Sequence, residues 1–294
     1  MGTLLALIAV GLLVGCLYGM VSTGLTLTYG VLRVVNFAHG EFLMAGMYCS
    51  YVLQRRFGLD PYVSWPLTTL FTMALALASY KLIVRRTIKS AHAVQAFVTL
   101  GLSVVMQNVA LFIFTSHVVT TSSFLGQRSV VLGPVHLADT YIVSAVAAVL
   151  VTGLLWLWLQ RTDFGRAVRA IAQNPMAAQL QGIDDDQVYM WTFTLGTGLA
   201  GLGGALFSPI FATFPTVGFG ITIVAFAVVV LGGMGSLPGA LVAALIIGVT
   251  EALSSFYFGG NARQIAYFLV FVAVLVSRPQ GLLGIRGAEL VGYR

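Results

Sequence analysis

Arg33, Asn36, His39 and Glu41 crowd into nine residues between two apolar runs, with Gly40 among them. Charged groups at membrane depth are costly and face a bundle interior or a water-filled cavity. Two readings follow. Either the segment is an interfacial loop in which Arg33 and Glu41 pair, or Asn36, His39 and Glu41 shape a gate on a transport path. An unperturbed histidine titrates near neutral pH, so His39 gives the second reading a route to pH sensitivity. A lone carboxylate, Glu251, falls inside another apolar run, and its expected counter-ion is Arg263 or a residue of another chain. Catalysis is not expected, because no nucleophile–base pair is evident. No metal site is expected either, since His92, His117 and His136 share no ligand spacing. Cys16 and Cys49 read as small buried side chains. No Walker A pattern occurs, so the chain has no P-loop for ATP.

The elements that hold these residues must be membrane helices. Of 294 residues, 59% are hydrophobic and 8% charged. A soluble domain carries about 25% charged residues, so lipid is the expected solvent. Asp, Glu, Lys and Arg are absent from 1–32, 61–80, 90–127, 140–160 and 187–250. These runs are continuously apolar, without the alternation of a strand barrel. Spans are expected near 4–29, 38–53, 62–84, 94–115, 140–160, 191–212, 219–235, 238–257 and 264–282. That makes nine, or eight if 38–53 or 219–235 only re-enters. The fold class is all-α and polytopic, a single transmembrane domain over 1–294. No cleavable leader is expected, because the first uncharged run far exceeds a signal-peptide core. With the N-terminus outside and the C-terminus in the cytoplasm, only Arg55, Arg56, Arg128 and Arg263 of the fifteen Lys and Arg fall outside. The other eleven then lie inside, as the positive-inside rule asks. The formal net charge of +6 thus reports topology rather than nucleic-acid binding.

Three further constellations stand out. Gly232, Gly233, Gly235, Pro238 and Gly239 break a helix inside the longest uncharged run. They make a tight cytoplasmic turn or a pair of half-helices aimed at a substrate. In the cytoplasmic stretch 161–190, Asn174 and Pro175 form a cap and first turn, and Gly182 sits where a helix closes. Met176, Ala177 and Leu180 share a side of the short helix between them. Arg161, Arg166 and Arg169 precede it and Asp184, Asp185 and Asp186 follow. Its apolar face needs cover, from this chain's own body or from another subunit. In the sixth span, Thr197, Gly201 and Ala205 lie four apart, as do Gly196, Ala200 and Gly204. Such stripes let helices approach closely, here within the chain.

Taken together, 24–41 (Gly-Leu-Thr-Leu-Thr-Tyr-Gly-Val-Leu-Arg-Val-Val-Asn-Phe-Ala-His-Gly-Glu) and Gly165–Pro175, continuing through Ala177, Leu180, Gly182 and Ile183, resemble the signatures of LivH-type branched-chain amino acid ABC permeases. The stretch 232–239 and the closing Arg278-Pro279-Gln280-Gly281-Leu282 extend the resemblance to essentially the whole chain. It implies a heteromeric importer in a bacterial or archaeal plasma membrane. A LivM-like second permease, two cytoplasmic ABC ATPases that use the ATP, and an extracytoplasmic substrate-binding protein would be the partners. The segment 166–183 would dock on an ATPase. Met176 departs from the acidic residue often found after that proline, so docking here would be more apolar. Relatives of this kind also import urea, short amides or other amino acids. From a different class, a self-sufficient secondary transporter would explain the broken helix and Glu251. It would require two-fold internal repetition, and the 33–41 motif has no second copy.

Overall fold

The structure, a computed structural model, describes residues 2–88, 90–124, 129–132, 135–260 and 262–284. Lys89, Arg128, Arg286 and Arg294 of the charge inventory lie outside the described residues.

Helices occupy all nine expected segments. In order they are α1 (Gly2–Leu32), α2 (His39–Phe57), α3 (Pro61–Ser79), which continues through a π turn (Tyr80–Val84) into α4 (Arg85–Thr87), and α5 (His92–Phe114). After a hairpin of β1 (Ser129–Leu132) and β2 (Val135–Ala138) come α6 (Asp139–Arg161), α7 (Asp163–Gln173), α8 (Pro175–Leu180), α9 (Asp185–Phe207), α10 (Val217–Gly232), α11 (Leu237–Phe258) and α12 (Ala262–Ser277). The chain is an all-α polytopic membrane protein, and the antiparallel hairpin, with Ser129 opposite Ala138, is an addition the sequence did not announce. Five helices are long and apolar enough to cross a bilayer: α1, α3 with its extension to Thr87, α5, α6 and α11. At 16 residues each, α10 and α12 reach only about 24 Å at ~1.5 Å per residue. The ninth segment, expected to run to 282, stops at Ser277, because Pro279 disfavours helical backbone at the residue before it.

The core forms where backbones meet. α1 packs antiparallel along α11, with Gly11 against Gly248 and Val249 and Gly15 against Ala244 and Leu245. α9 runs through the middle of the bundle. Its Gly196 meets Gly24 of α1, Gly201 meets Gly46 of α2 and Thr72 of α3, and Gly204 meets Leu43. Both stripes of small residues therefore serve packing inside the chain. Outside the bundle, large apolar side chains such as Phe112, Leu154 and Val276 are exposed, a surface suited to lipid.

Candidate functional site

The 33–41 segment is not an interfacial loop. α1 ends at Leu32, yet the imidazole Nε2 of His39 donates to the carbonyl of Val21 at 2.9 Å. Val21 lies eleven residues before Leu32, about 16 Å along the helix at ~1.5 Å per residue, so the His39 side chain, at the start of α2, reaches back into the bundle. The returning backbone is non-helical, and at that depth its polar groups need partners in the protein. Thr99 of α5 supplies them: its hydroxyl donates to the carbonyl of Val35 at 2.9 Å and faces the N–H of Phe37 at 3.3 Å. The side-chain oxygen of Asn36 accepts from the N–H of Ala38 at 3.1 Å.

α2 therefore starts inside the bundle, and so does α10. The two N-termini cross at Gly40 and Gly218, where a β-carbon on either residue would run into the other's carbonyl. The N–H of Gly40 donates to the hydroxyl of Thr222 at 2.9 Å, and that hydroxyl donates to the carbonyl of Gly218 at 3.0 Å. Two positive dipole ends thus meet in low dielectric. Glu41, in the first turn of α2, answers both. Its Oε1 accepts from Ser103 at 3.0 Å and from Gln107 at 2.7 Å, both on α5. Its Oε2 lies against Gly218, in the first turn of α10, and has no hydrogen-bond partner among the described residues. Asn36, His39 and Glu41 are all fully buried, and Asn36 Nδ2 and His39 Nδ1 are also unpaired.

These placements correct part of the sequence reading. Arg33 and Glu41 do not pair. Ser103 and Gln107 were missed, although two polar residues four apart on an otherwise apolar helix are a signal for an inward-facing polar stripe. The helices that begin inside the bundle start at 39 and 217 rather than flanking 232–239. That glycine-rich stretch is a tight turn between α10 and α11. Gly233 and Gly235 have φ of 102° and 86°, and Ser236 caps α11 by accepting from the N–H of Gly239 at 3.2 Å. The closing motif binds the turn: the N–H groups of Leu282 and Leu283 donate to the carbonyls of Leu231 and Gly232 at 2.8 and 3.1 Å. The sequence showed two separate motifs; the fold makes them one joint.

Glu251 stands apart from this site. Its Oε1 meets Arg263 Nη1 at 3.3 Å, one of the two counter-ions expected. Tyr18 and Tyr267 lie beside it.

At the end of the bundle where α1 stops lie α7 and α8. α7 was not foreseen, although Phe164, Val168 and Ile171 fall at i, i+4 and i+7. Val168 and Ile171 are buried, and Phe164 packs on Trp158 with ring centroids 5.4 Å apart. The Asn174 side chain caps α8 by accepting from the N–H of Ala177 at 3.1 Å, with Pro175 in the first turn. Gly182 closes it at φ 81°: its N–H reaches the carbonyl of Gln179 at 2.9 Å, and the N–H of Ile183 reaches that of Ala178 at 3.2 Å. This is the paired closure that positive φ permits. Ala178 anchors the helix inward, whereas Met176 and Leu180 are 74% and 81% exposed and Ala177 is exposed beside them. Arg166 pairs with Asp163 at the surface. Arg169, one of the basic residues before the short helix, donates to the carbonyl of Leu159 at 2.6 Å and braces α7 against the end of α6.

Residues 7–277 match the family model described as branched-chain amino acid transport system / permease component. The high-affinity branched-chain amino acid transport system permease protein LivH of Salmonella typhimurium is 33% identical over 290 residues, 93% of each chain. The permease protein BraD of a system of the same description in Pseudomonas aeruginosa is 31% identical, covering 93% of this chain and 94% of that one. A more distant relative, the ribose import permease RbsC of Bacillus subtilis, is 33% identical over 151 residues, 47% of this chain and 46% of its own.

Proposed function

Because this chain belongs to the branched-chain amino acid transport permease family, a family of multi-pass inner-membrane ABC permease components, we propose that it imports branched-chain amino acids as one half of a substrate pathway. The other half is a LivM-like second permease. Two separate cytoplasmic ATPases supply the work, and an extracytoplasmic binding protein supplies the substrate.

The observation that carries this reading is α8. A six-residue helix satisfied at both ends is stiff, and its outward side chains, Met176, Ala177 and Leu180, are apolar where water would favour polar ones. An ATPase groove covers that face and passes its motion through α7. Arg166 adds steering at the rim. The Glu41 junction is the moving part of the pathway. The N-termini of α2 and α10 meet there, and Asn36 and His39 line the joint. Glu251 holds the far end of α11 to the start of α12 through Arg263.

The test is reconstitution with the second permease, both ATPases and the binding protein. Leucine-loaded binding protein should stimulate ATP hydrolysis. Stimulation by urea or a short amide in place of leucine would keep the importer and change its substrate. Uphill uptake by this chain alone, driven by an ion gradient, would replace the importer with a secondary transporter.

A further inference from the structure

A cavity of about 740 Å³ opens at the α7–α8 end of the bundle, away from the Glu41 junction. One wall is α7, through Val168 and Arg169; the opposite wall is the 234–238 turn with Gln280 behind it. Arg33, Arg169 and His92 contribute to its lining, and among the described residues no Asp or Glu does.

Arg33 is the unusual member. It follows the last residue of α1, its N–H still bonded to the carbonyl of Tyr29 at 2.9 Å, and its φ is 54°. A helix that closes this way normally has glycine there, because a β-carbon is strained at positive φ. Strain kept at a non-glycine residue points to a use for its side chain. Yet the guanidinium has no hydrogen-bond or ion-pair partner among the described residues. Arg169 spends one nitrogen on the carbonyl of Leu159 and has others to offer. Arg33 also lies within electrostatic reach of Tyr189. A strained cation with no ion-pair partner among the described residues, at the edge of a cavity to which no described carboxylate contributes, calls for an anion, and a guanidinium fork suits the oxygens of a phosphate.

We propose that this cavity binds the phosphate of an anionic membrane lipid. The rest of the lining favours a lipid over a free ion. Leu27, Leu159 and Val168 give the cavity an apolar side for a glycerol and the start of its acyl chains. Trp156 and Gln160 belong to both the lining and the exposed face of α6, a route in from the bilayer, and tryptophan favours the headgroup level. Basic pockets between membrane helices hold lipid headgroups in this way. A bound lipid would tie α7 to the α10–α11 turn, so its presence would set how freely the coupling handle moves. The site does not depend on what the chain transports.

Arg33→Gly and Arg33→Lys in the assembled complex test this. Glycine is at ease at φ 54°, so Arg33→Gly should melt no lower than the wild type. Native mass spectrometry should then show phosphatidylglycerol retained by the wild type and by Arg33→Lys, and about tenfold weaker retention in Arg33→Gly, the loss of one charge-assisted contact. Equal retention by wild type and Arg33→Gly overturns the proposal. So does stabilisation of the wild type by millimolar inorganic phosphate with no lipid retained, which would make this a free-anion site.

Discussion

Glu41 has one oxygen held by Ser103 and Gln107 and one idle against the first turn of α10. That asymmetry is what a movable joint needs: α5 keeps the carboxylate in place while α10 is bound to it only through its dipole. Glu41→Gln keeps an oxygen for Ser103 and Gln107 but turns an amide N–H toward other N–H donors. The complex should assemble, with leucine uptake impaired. His39→Ala, which frees the carbonyl of Val21 and empties the space beside Gly24, should act likewise. Full uptake in both variants would return the 33–41 segment to a structural role. Thr222→Val removes both hydroxyl bonds at the Gly40–Gly218 crossing with little change of shape. It should cost about 1–3 kcal/mol, the cost of leaving the buried N–H of Gly40 without its acceptor, read as a lower melting temperature. The sequence offered Asn36, His39 and Glu41 because ionisable groups are rare in apolar runs. It could not offer Ser103, Gln107 and Thr222 as partners, since only the fold makes them neighbours across sixty to one hundred and eighty residues.

Among the elements, α8 shows why short motifs are readable when long runs are not. Asn174, Pro175 and Gly182 act within one turn of themselves, so their capping roles follow from local chemistry and the fold keeps them. The depth at which α2 and α10 start is a different kind of fact. An apolar run of sixteen residues looks the same whether it begins at an interface or halfway through the bundle. What decides is where Gly40 and Gly218 touch, and glycine is too common here to announce a crossing. The handle yields a firm expectation. Gly182→Val places a β-branched side chain at φ 81°, a strain of about 1–2 kcal/mol, and loosens the closure of α8. Leu180→Asp leaves the helix intact but makes its exposed face charged. Both chains should insert and assemble, and in both the loaded binding protein should fail to stimulate ATP hydrolysis. Stimulation equal to wild type in both would place the ATPase contact elsewhere on the chain.

For the molecule as a whole, direction along the bundle is the property on which the rest depends. α1 runs from Gly2 toward Leu32, α11 is antiparallel to it, and α9 meets α1 in the same antiparallel sense. The ends therefore sort. Arg33, Arg85, Arg161, α7 and α8 gather at one end, where Arg85 pairs with Asp186 at 2.9 Å. Arg55, Arg56 and Arg263 gather at the other. Helix–helix contacts alone produce this sorting, and it agrees with the sequence count that put most cations on one side. A bilayer then has two ways to hold the molecule, and the positive-inside rule selects the one with α8 in the cytoplasm. Cysteine labelling reads the choice directly. In a background without Cys16 and Cys49, Gly2→Cys should react with an impermeant thiol reagent in intact cells. Met176→Cys, at an exposed position on α8, should react only in inverted vesicles. Labelling of position 176 from outside would invert the molecule. Leu180 would then face away from any cytoplasmic ATPase, and the importer reading would fail on geometry, whatever the family resemblance.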